Sequence, residues 1–259
     1  MPNSLLKATK KTEDDSLELS VVIPMRNEEG NVLPIVNEVN AELAQLEHFE
    51  IICVDDGSDD NTENELRQAK ASFPKLRIIQ HMQPYGQSTA TRTGIRAAYA
   101  PWIVTLDGDG QNPPSEILSL VNAREHALEK TPKIGTLMIA GQRETRKDDW
   151  FRRFCSIGAN GLRSWVLRDG IRDTGCSLKL FRRDTFLDLP YFDHMHRFLP
   201  ALVQRAGGHV ITVNVKHRPR ANGRTKYGLM NRLWTGIVDL LGVLWLMRRA
   251  KQPIINELD

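Results

Sequence analysis

The most constraining feature of the sequence is an alternation that runs three times through its first hundred residues and then begins again. In each round a short β-branched run leads into a polar turn and then into apolar residues at helical spacing. Glu18 to Met25 is such a run, stopped by proline chemistry, and reads as a fully buried strand. Asn31 to Leu46 follows with Val32, Ile35, Val36, Val39, Leu43 and Leu46 on one helical face. The pattern repeats as strand Phe49 to Val54 with helix Asn61 to Ser72, then strand Leu76 to His81 with a helix from about Ser88 to Tyr99, then strand Trp102 to Leu106. Strands joined by helices of this length require right-handed crossovers, so the sequence predicts an α/β fold on a mostly parallel sheet. Ligands of such sheets gather beyond the carboxyl ends of the strands, where Arg26, Glu28, Asp55, Asp56, Asp107 and Asp109 all fall.

The remainder is less regular. A helix over Ser115 to Leu128 and a strand over Gly135 to Ala140 are followed by a basic helical stretch from Trp150 to Leu167. A short strand Ser177 to Phe181, a helix near His196 to Ala206, a strand Val210 to Lys216 and a helix Leu229 to Arg249 complete the chain. With 259 residues, 41% of them hydrophobic, one substantial core can be buried. No internal repeat or linker is seen, which favours a polar tail at 1–17, one domain over 18–228 and a terminal segment at 229–259.

A net charge of +3 conceals an asymmetry. Residues 1–140 carry 13 basic and 21 acidic side chains, or −8, whereas residues 141–259 carry 22 and 11, or +11. The second half is therefore expected to meet an anion: phosphate, nucleic acid or an anionic membrane. No dedicated nucleic-acid motif is present, and nucleic acid is not expected as a partner. Cys53, Cys155 and Cys176 have neither metal-ligand spacing nor an even count, which points to a reducing compartment. Met1 to Ser16 lacks the apolar run of a secretory signal, and Gly236 to Met247, the best candidate span, is short and contains Asp239.

Asp107-Gly108-Asp109 follows a buried strand directly. Two carboxylates at that spacing can converge on one hard divalent cation, with the glycine letting the backbone approach a phosphate and Gln111 adding a neutral oxygen. The competing reading is a solvated acidic turn. A second acidic run, Asp55-Asp56-Gly57-Ser58, stands at another strand end, where a carboxylate can accept hydrogen bonds from base or ribose groups. Its alternative is a helix cap, and Asp55 is assigned to the ligand and Asp59 or Asp60 to the cap. His194, His196, His209 and His217 form no zinc motif and read as surface or core residues.

At this point the sequence resembles family 2 glycosyltransferases, in their polyprenyl-phosphate branch. The resemblance is carried by Val21-Val22-Ile23-Pro24 with Asn27-Glu28-Glu29, by Val54 through Asp60, by Gly86-Gln87-Ser88 through Gly94, and by Leu106 through Pro114. It continues through Gly141-Gln142-Arg143, Asp173-Thr174-Gly175 and Gly223-Arg224-Thr225-Lys226-Tyr227, covering roughly residues 18–228. It implies a GT-A fold, and a nucleotide sugar held by Pro24, Met25, Arg26, Glu28, Asp55, Gln87 and Gly108. It also implies Mg²⁺ or Mn²⁺ at Asp107, Asp109 and Gln111, with a UDP-linked donor favoured over a GDP-linked one. Tyr85 and Ala100 stand where the wider family has Asn and commonly Gly.

The acceptor decides the subgroup. A hydroxyl acceptor needs a carboxylate base, whereas a phosphate is already ionised near neutral pH and needs cations for binding. The resemblance to dolichol-phosphate mannose synthases and undecaprenyl-phosphate sugar synthases assigns acceptor or donor phosphate contacts to Arg143, Arg152 or Arg153, and Lys226, with Arg220 and Thr225 in the same basic half. Arg143, Arg153 and Lys226 are expected to position the acceptor. The helix after that loop, with Trp234, Trp245, Arg248, Arg249 and Lys251, reads as amphipathic. It would meet either lipid headgroups at the cytoplasmic face of a membrane or a membrane partner protein. A homo-oligomer is also open. The rival expectations are transfer to a hydroxyl acceptor in polysaccharide or lipopolysaccharide assembly, and a catalytically silent subunit that holds nucleotide or recruits a membrane partner.

Overall fold

A computed structural model describes residues 17–132, 134–143, 167, 170–171, 173–219 and 229–251. Seven strands form one sheet: β1 (Leu19–Met25), β2 (Phe49–Asp55), β3 (Leu76–Gln80), β4 (Trp102–Thr105), β5 (Leu137–Arg143), β6 (Lys179–Arg182) and β7 (His209–Val215), in the order β3-β2-β1-β4-β6-β5-β7. Helices α1 (Val32–Glu42), α2 (Thr62–Ser72), α3 (Gln87–Ala97) and α4 (Glu116–Lys130) provide the connections foreseen from the alternation. Neighbours are parallel except around β6, which runs antiparallel to both β4 and β5. The expected mostly parallel sheet is thus present, with one reversed strand inserted at its centre.

The continuous apolar runs of β1 and β2 follow from burial on both faces. Leu19, Val21, Ile23 and Met25 join α1, α2 and α4 in one core, while Val22, Ile52 and Val54 join α3 in a second core on the other face. Each such side chain contributes roughly 1.5–3 kcal/mol of burial. α3 lies so close to the sheet that a Cβ on Gly94 would stand 2.5 Å from Val22 Cγ1. One buried acid ties the layers together: Glu50 accepts hydrogen bonds from Ser20 Oγ (2.6 Å), the Tyr99 N–H (2.7 Å) and Arg77 (2.5 Å). Both of its carboxylate oxygens thereby meet donors, which offsets much of the cost of burying it.

Several boundaries differ from expectation: β5 spans Leu137–Arg143 rather than Gly135 to Ala140, and α1 ends at Glu42 rather than Leu46. β6 begins at Lys179 rather than Ser177, because Ser177 is engaged with the loop after β4. The six-residue α5 (Arg183–Asp188) was not foreseen, being too short for a periodic signal. α6 (Leu199–Arg205) starts after a 3-10 turn over Met195–Arg197, at a point where the sequence suggested continuous helix. The stretch Trp150 to Leu167 lies, apart from Leu167, outside the described residues.

The last helix, α7 (Leu229–Arg248), departs from the amphipathic expectation. Val243 is buried and Leu240, Leu246 and Met247 pack on the second core, yet Ile237, Val238, Leu241 and Trp245 are exposed. Among the side chains described from Thr235 onward, the exposed ones are therefore apolar until Arg248 and Arg249. Among the described residues no helix is long and apolar enough to cross a membrane.

Candidate active site

The sheet brings the carboxyl ends of β1, β2 and β4 side by side, with Met25 paired to Asp55 and Val22 to Thr105. Strand β4 delivers Asp107 and Asp109 to this edge. The Asp107 N–H donates to Ser177 Oγ at 3.1 Å, and Ser177 Oγ also accepts the Asn112 side-chain amide at 2.9 Å, so one hydroxyl fixes both ends of the loop. Asp109 is buried and accepts the Gln111 N–H at 3.1 Å, while the Gln111 carbonyl accepts the Arg218 N–H at 2.8 Å. Gly108 sits against the first strand: a Cβ there would lie 2.9 Å from Met25 Cγ and 3.3 Å from the Pro24 carbonyl oxygen. Only glycine lets the acidic loop rest on Pro24, Met25 and Glu28.

Asp56 organises the opposite wall. Its carboxylate accepts the Tyr85 N–H at 2.9 Å and the Gly86 N–H at 2.7 Å, and lies 2.7 Å from His81 Nδ1. This fixes the start of α3, whose first residue, Gln87, donates its amide to Asp107 Oδ1 at 2.7 Å. Asp55, expected to meet the nucleoside, is buried and accepts Ser58 Oγ at 2.5 Å and Gln80 Nε2 at 3.3 Å. Asp60 accepts the Thr62 N–H just ahead of α2, whose N-cap residue is Asn61, and Asp59 bonds to Asn27, so neither acid is the N-cap. Glu28 accepts the Asn31 side-chain amide at 2.8 Å, and Arg26 is exposed.

A cleft of about 380 Å³ opens beside Asp107. Pro24, Gln87, Asp107, Ser177, Lys179, His196 and Arg197 are among the residues that line it. Lys179 is buried and donates to the carbonyl oxygens of Thr174 (3.3 Å) and Cys176. Burial holds its amine below the ordinary lysine range, against the pull of Asp107 and Asp173. His196 Nδ1 lies 2.7 Å from Ser88 Oγ, which also accepts the His196 N–H at 3.3 Å. Burial foremost, then the cationic neighbours Arg197 and Lys179, keep that ring neutral well below its ordinary titration range. Neither Lys179, Arg197 nor His196 was singled out for chemistry from the sequence; the only signal was the basic character of this half.

The acidic loop suits a divalent cation. The Asp107 carboxyl is pushed up to about 6, by burial first and then by the Asp109 charge, with Glu28 adding to it while Ser177 and Lys179 oppose. Carboxylates crowded into mutual repulsion at a buried strand end are relieved by a hard cation. Among the described residues no group of three or more His, Cys, Asp and Glu surrounds one point. Asp107 and Asp109 are therefore two carboxylates that could hold a cation together with substrate oxygens.

Of the residues expected to bind the acceptor phosphate, Arg143 is described. It forms a bidentate pair with Asp173, both contacts 2.6 Å, with both side chains largely buried. Arg152, Arg153, Arg220, Thr225 and Lys226 lie outside the described residues, as does Cys155. Cys53 and Cys176 are buried free thiols, and burial raises the Cys53 thiol to about 12, which makes it inert.

Residues 20–189 match the family described as glycosyl transferase family 2. The dodecaprenyl-phosphate galacturonate synthase of Rhizobium johnstonii is 36% identical over 243 residues, covering 92% of this chain and 70% of that protein. The undecaprenyl-phosphate 4-deoxy-4-formamido-L-arabinose transferase of Edwardsiella ictaluri is 34% identical over 215 residues, covering 82% of this chain and 63% of that one. The chain therefore spans roughly two thirds of these relatives' length. Among solved structures, glucosyl-3-phosphoglycerate synthase of Mycobacterium tuberculosis, in complex with Mn²⁺, UDP and glucosyl-3-phosphoglycerate, aligns with a TM-score of 0.66 at 16% identity over 91% of this chain and 81% of that one. Mannosyl-3-phosphoglycerate synthase of Rubrobacter xylanophilus gives 0.67 at 16% identity over 94% and 79%. These structural likenesses concern the fold.

Proposed function

The chain belongs to glycosyl transferase family 2, with a GT-A fold, and on that premise we propose that it transfers a sugar from a nucleotide sugar to the phosphate of a polyprenyl lipid. The observation that carries the acceptor is the make-up of the cleft. Asp107 is the one carboxylate among its described lining residues, and it belongs to the cation loop. Among the described lining residues no second acid is present to deprotonate a hydroxyl, whereas an ionised phosphate needs none. The two relatives above are named for polyprenyl-phosphate acceptors, which supports the same choice.

In this reading an acceptor phosphate oxygen attacks the anomeric carbon as the bond to the nucleoside diphosphate breaks, with inversion and without a covalent enzyme intermediate. Asp107 and Asp109 would hold Mg²⁺ or Mn²⁺, which when bound supplies Lewis-acid stabilisation of the departing diphosphate. Gln87 and Ser177 orient Asp107 for that role. Pro24, Met25 and Gly108 form the floor on which the nucleotide rests, and Arg153 and Lys226 would draw the acceptor phosphate in. UDP-linked donors are favoured. The exposed apolar side of α7, with Arg248 and Arg249 beyond it, would lie on the membrane surface that carries the lipid.

A hydroxyl acceptor finds one imidazole in the cleft, His196, but burial holds that ring well below its ordinary titration range, which makes it a weak base. The test is incubation of the protein and a divalent cation with labelled UDP- and GDP-sugars, offering polyprenyl phosphate or a glycan. Label recovered as lipid-linked glycosyl phosphate supports the proposal. Label in the glycan alone refutes it.

A further inference from the structure

Arg197 has no part in the reaction as derived so far, yet it lines the same cleft as Asp107. The turn that carries it is anchored at three successive residues. His194 adopts a left-handed conformation (φ 62°) and its Nδ1 lies 3.0 Å from Asp239 Oδ2 on α7. That contact also accounts for the lone acid inside the apolar helix. Met195 is buried in the second core, and His196 is held by Ser88 at the head of α3. The fourth residue, Arg197, is thereby delivered to the cleft wall by α3, α7 and the core together. Strand β6 carries Lys179 into the same cleft, through its pairing with Thr105 of β4. The cleft therefore holds two cationic side chains beside the carboxylate of the cation loop.

Such a pair of cations suits an oxyanion distinct from the diphosphate, which would belong with the cation at Asp107 and Asp109. A guanidinium presents two parallel N–H groups to a carboxylate or a phosphate, and desolvation strengthens both bonds. Resting on the transferase reading above, we propose that Arg197, backed by Lys179, is a substrate-binding residue that receives an oxyanion of the sugar or of the acceptor. Two sources share this chemistry: the carboxylate of a uronic-acid donor, and the acceptor phosphate. The relatives differ in this respect, since one is named for galacturonate and the other for a formamido-arabinose.

The experiment uses the full chain with Arg197→Gln and Arg197→Lys. Initial rates are measured with a nucleotide-linked uronic acid, with the matching nucleotide-linked hexose, and over a range of polyprenyl phosphate concentrations. Arg197→Gln is expected to change one parameter at least about ten-fold, with Arg197→Lys between it and the parent. Loss of discrimination between uronic acid and hexose at unchanged acceptor KM assigns the sugar carboxylate. A raised KM for polyprenyl phosphate at unchanged discrimination assigns the acceptor phosphate. Unaltered values for both, or a change confined to inhibition by the nucleoside diphosphate, overturns the inference. Should Arg197→Gln fail to fold, Arg197→Lys decides by the same two readouts. An inactive parent protein would remove the proposed function and this inference with it, whereas an active parent matched by Arg197→Gln removes this inference alone.

Discussion

Gln87 donates its side-chain amide to Asp107 Oδ1 at 2.7 Å, across the gap between the head of α3 and the loop after β4. The bond holds one carboxylate oxygen of the cation loop. Replacing Gln87 by Ala is expected to raise the KM for the nucleotide sugar by about three- to ten-fold, the net worth of one ordinary hydrogen bond at an exposed site. Because Gln87 is exposed, the melting temperature should stay within error of the parent. An unchanged KM would show that Asp107 is oriented without it.

Asp107 gives the cation a pH signature. Its carboxyl titrates at about 6 in the folded protein against an ordinary 3.8, so the native state favours the protonated form and loses that advantage as pH rises through this interval. A divalent cation competes with that proton. Stabilisation by Mn²⁺ with a nucleoside diphosphate, read as a rise in melting temperature, is expected to be larger above pH 6 than below it. It should largely vanish in Asp107→Asn. A shift independent of pH would place the cation elsewhere.

His196 acts with the opposite sign. Its folded titration point is lowered from the ordinary 6.5, chiefly by burial, so above 6.5 the ring is neutral in both states and its full contribution to stability is present. As pH falls below that value the unfolded chain takes up a proton that the native ring refuses, and stability is lost. Urea unfolding across this range should show a shallower acid-side decline for His196→Asn than for the parent. Taking the difference between the two proteins cancels the opposing contribution of Asp107. Parallel curves would contradict the buried neutral ring.

Arg143 and Asp173 form a buried bidentate pair, and this bears on a residue expected from the sequence to meet the acceptor. Arg143→Met would strand the Asp173 carboxylate, at a cost of about 3–5 kcal/mol in urea unfolding. The double variant Arg143→Met with Asp173→Leu should recover most of it. Full stability in the single variant would mean that the pair is not structural and that the guanidinium is available to substrate.

The strands, the crossover helices and the acidic loop were legible because each is encoded locally, by an apolar run, a helical period or a strand-terminal carboxylate. Asp56 was harder to read. Its role is to accept the N–H groups of Tyr85 and Gly86, and nothing in Asp55-Asp56 shows which acid turns toward a loop nearly thirty residues on. Lys179, His196 and Arg197 were not legible at all. Lys179 reaches the site because β6 inserts antiparallel between β4 and β5, and a pairing register between distant segments leaves no periodic trace. The two arginine-bearing positions contrast in the same way. Arg143 was read from a motif and lies in an ion pair, while Arg197 sits in an unremarked basic stretch and lines the cleft.

The most direct test of the central claim compares polyprenyl phosphate with the polyprenol of the same chain length, using a donor that the protein accepts and a divalent cation. The account requires labelled sugar to pass to the phosphate lipid, with inverted anomeric configuration, and not to the alcohol. Equal or exclusive labelling of the polyprenol would show that the protein supplies a base to a hydroxyl acceptor, and the claim would fail.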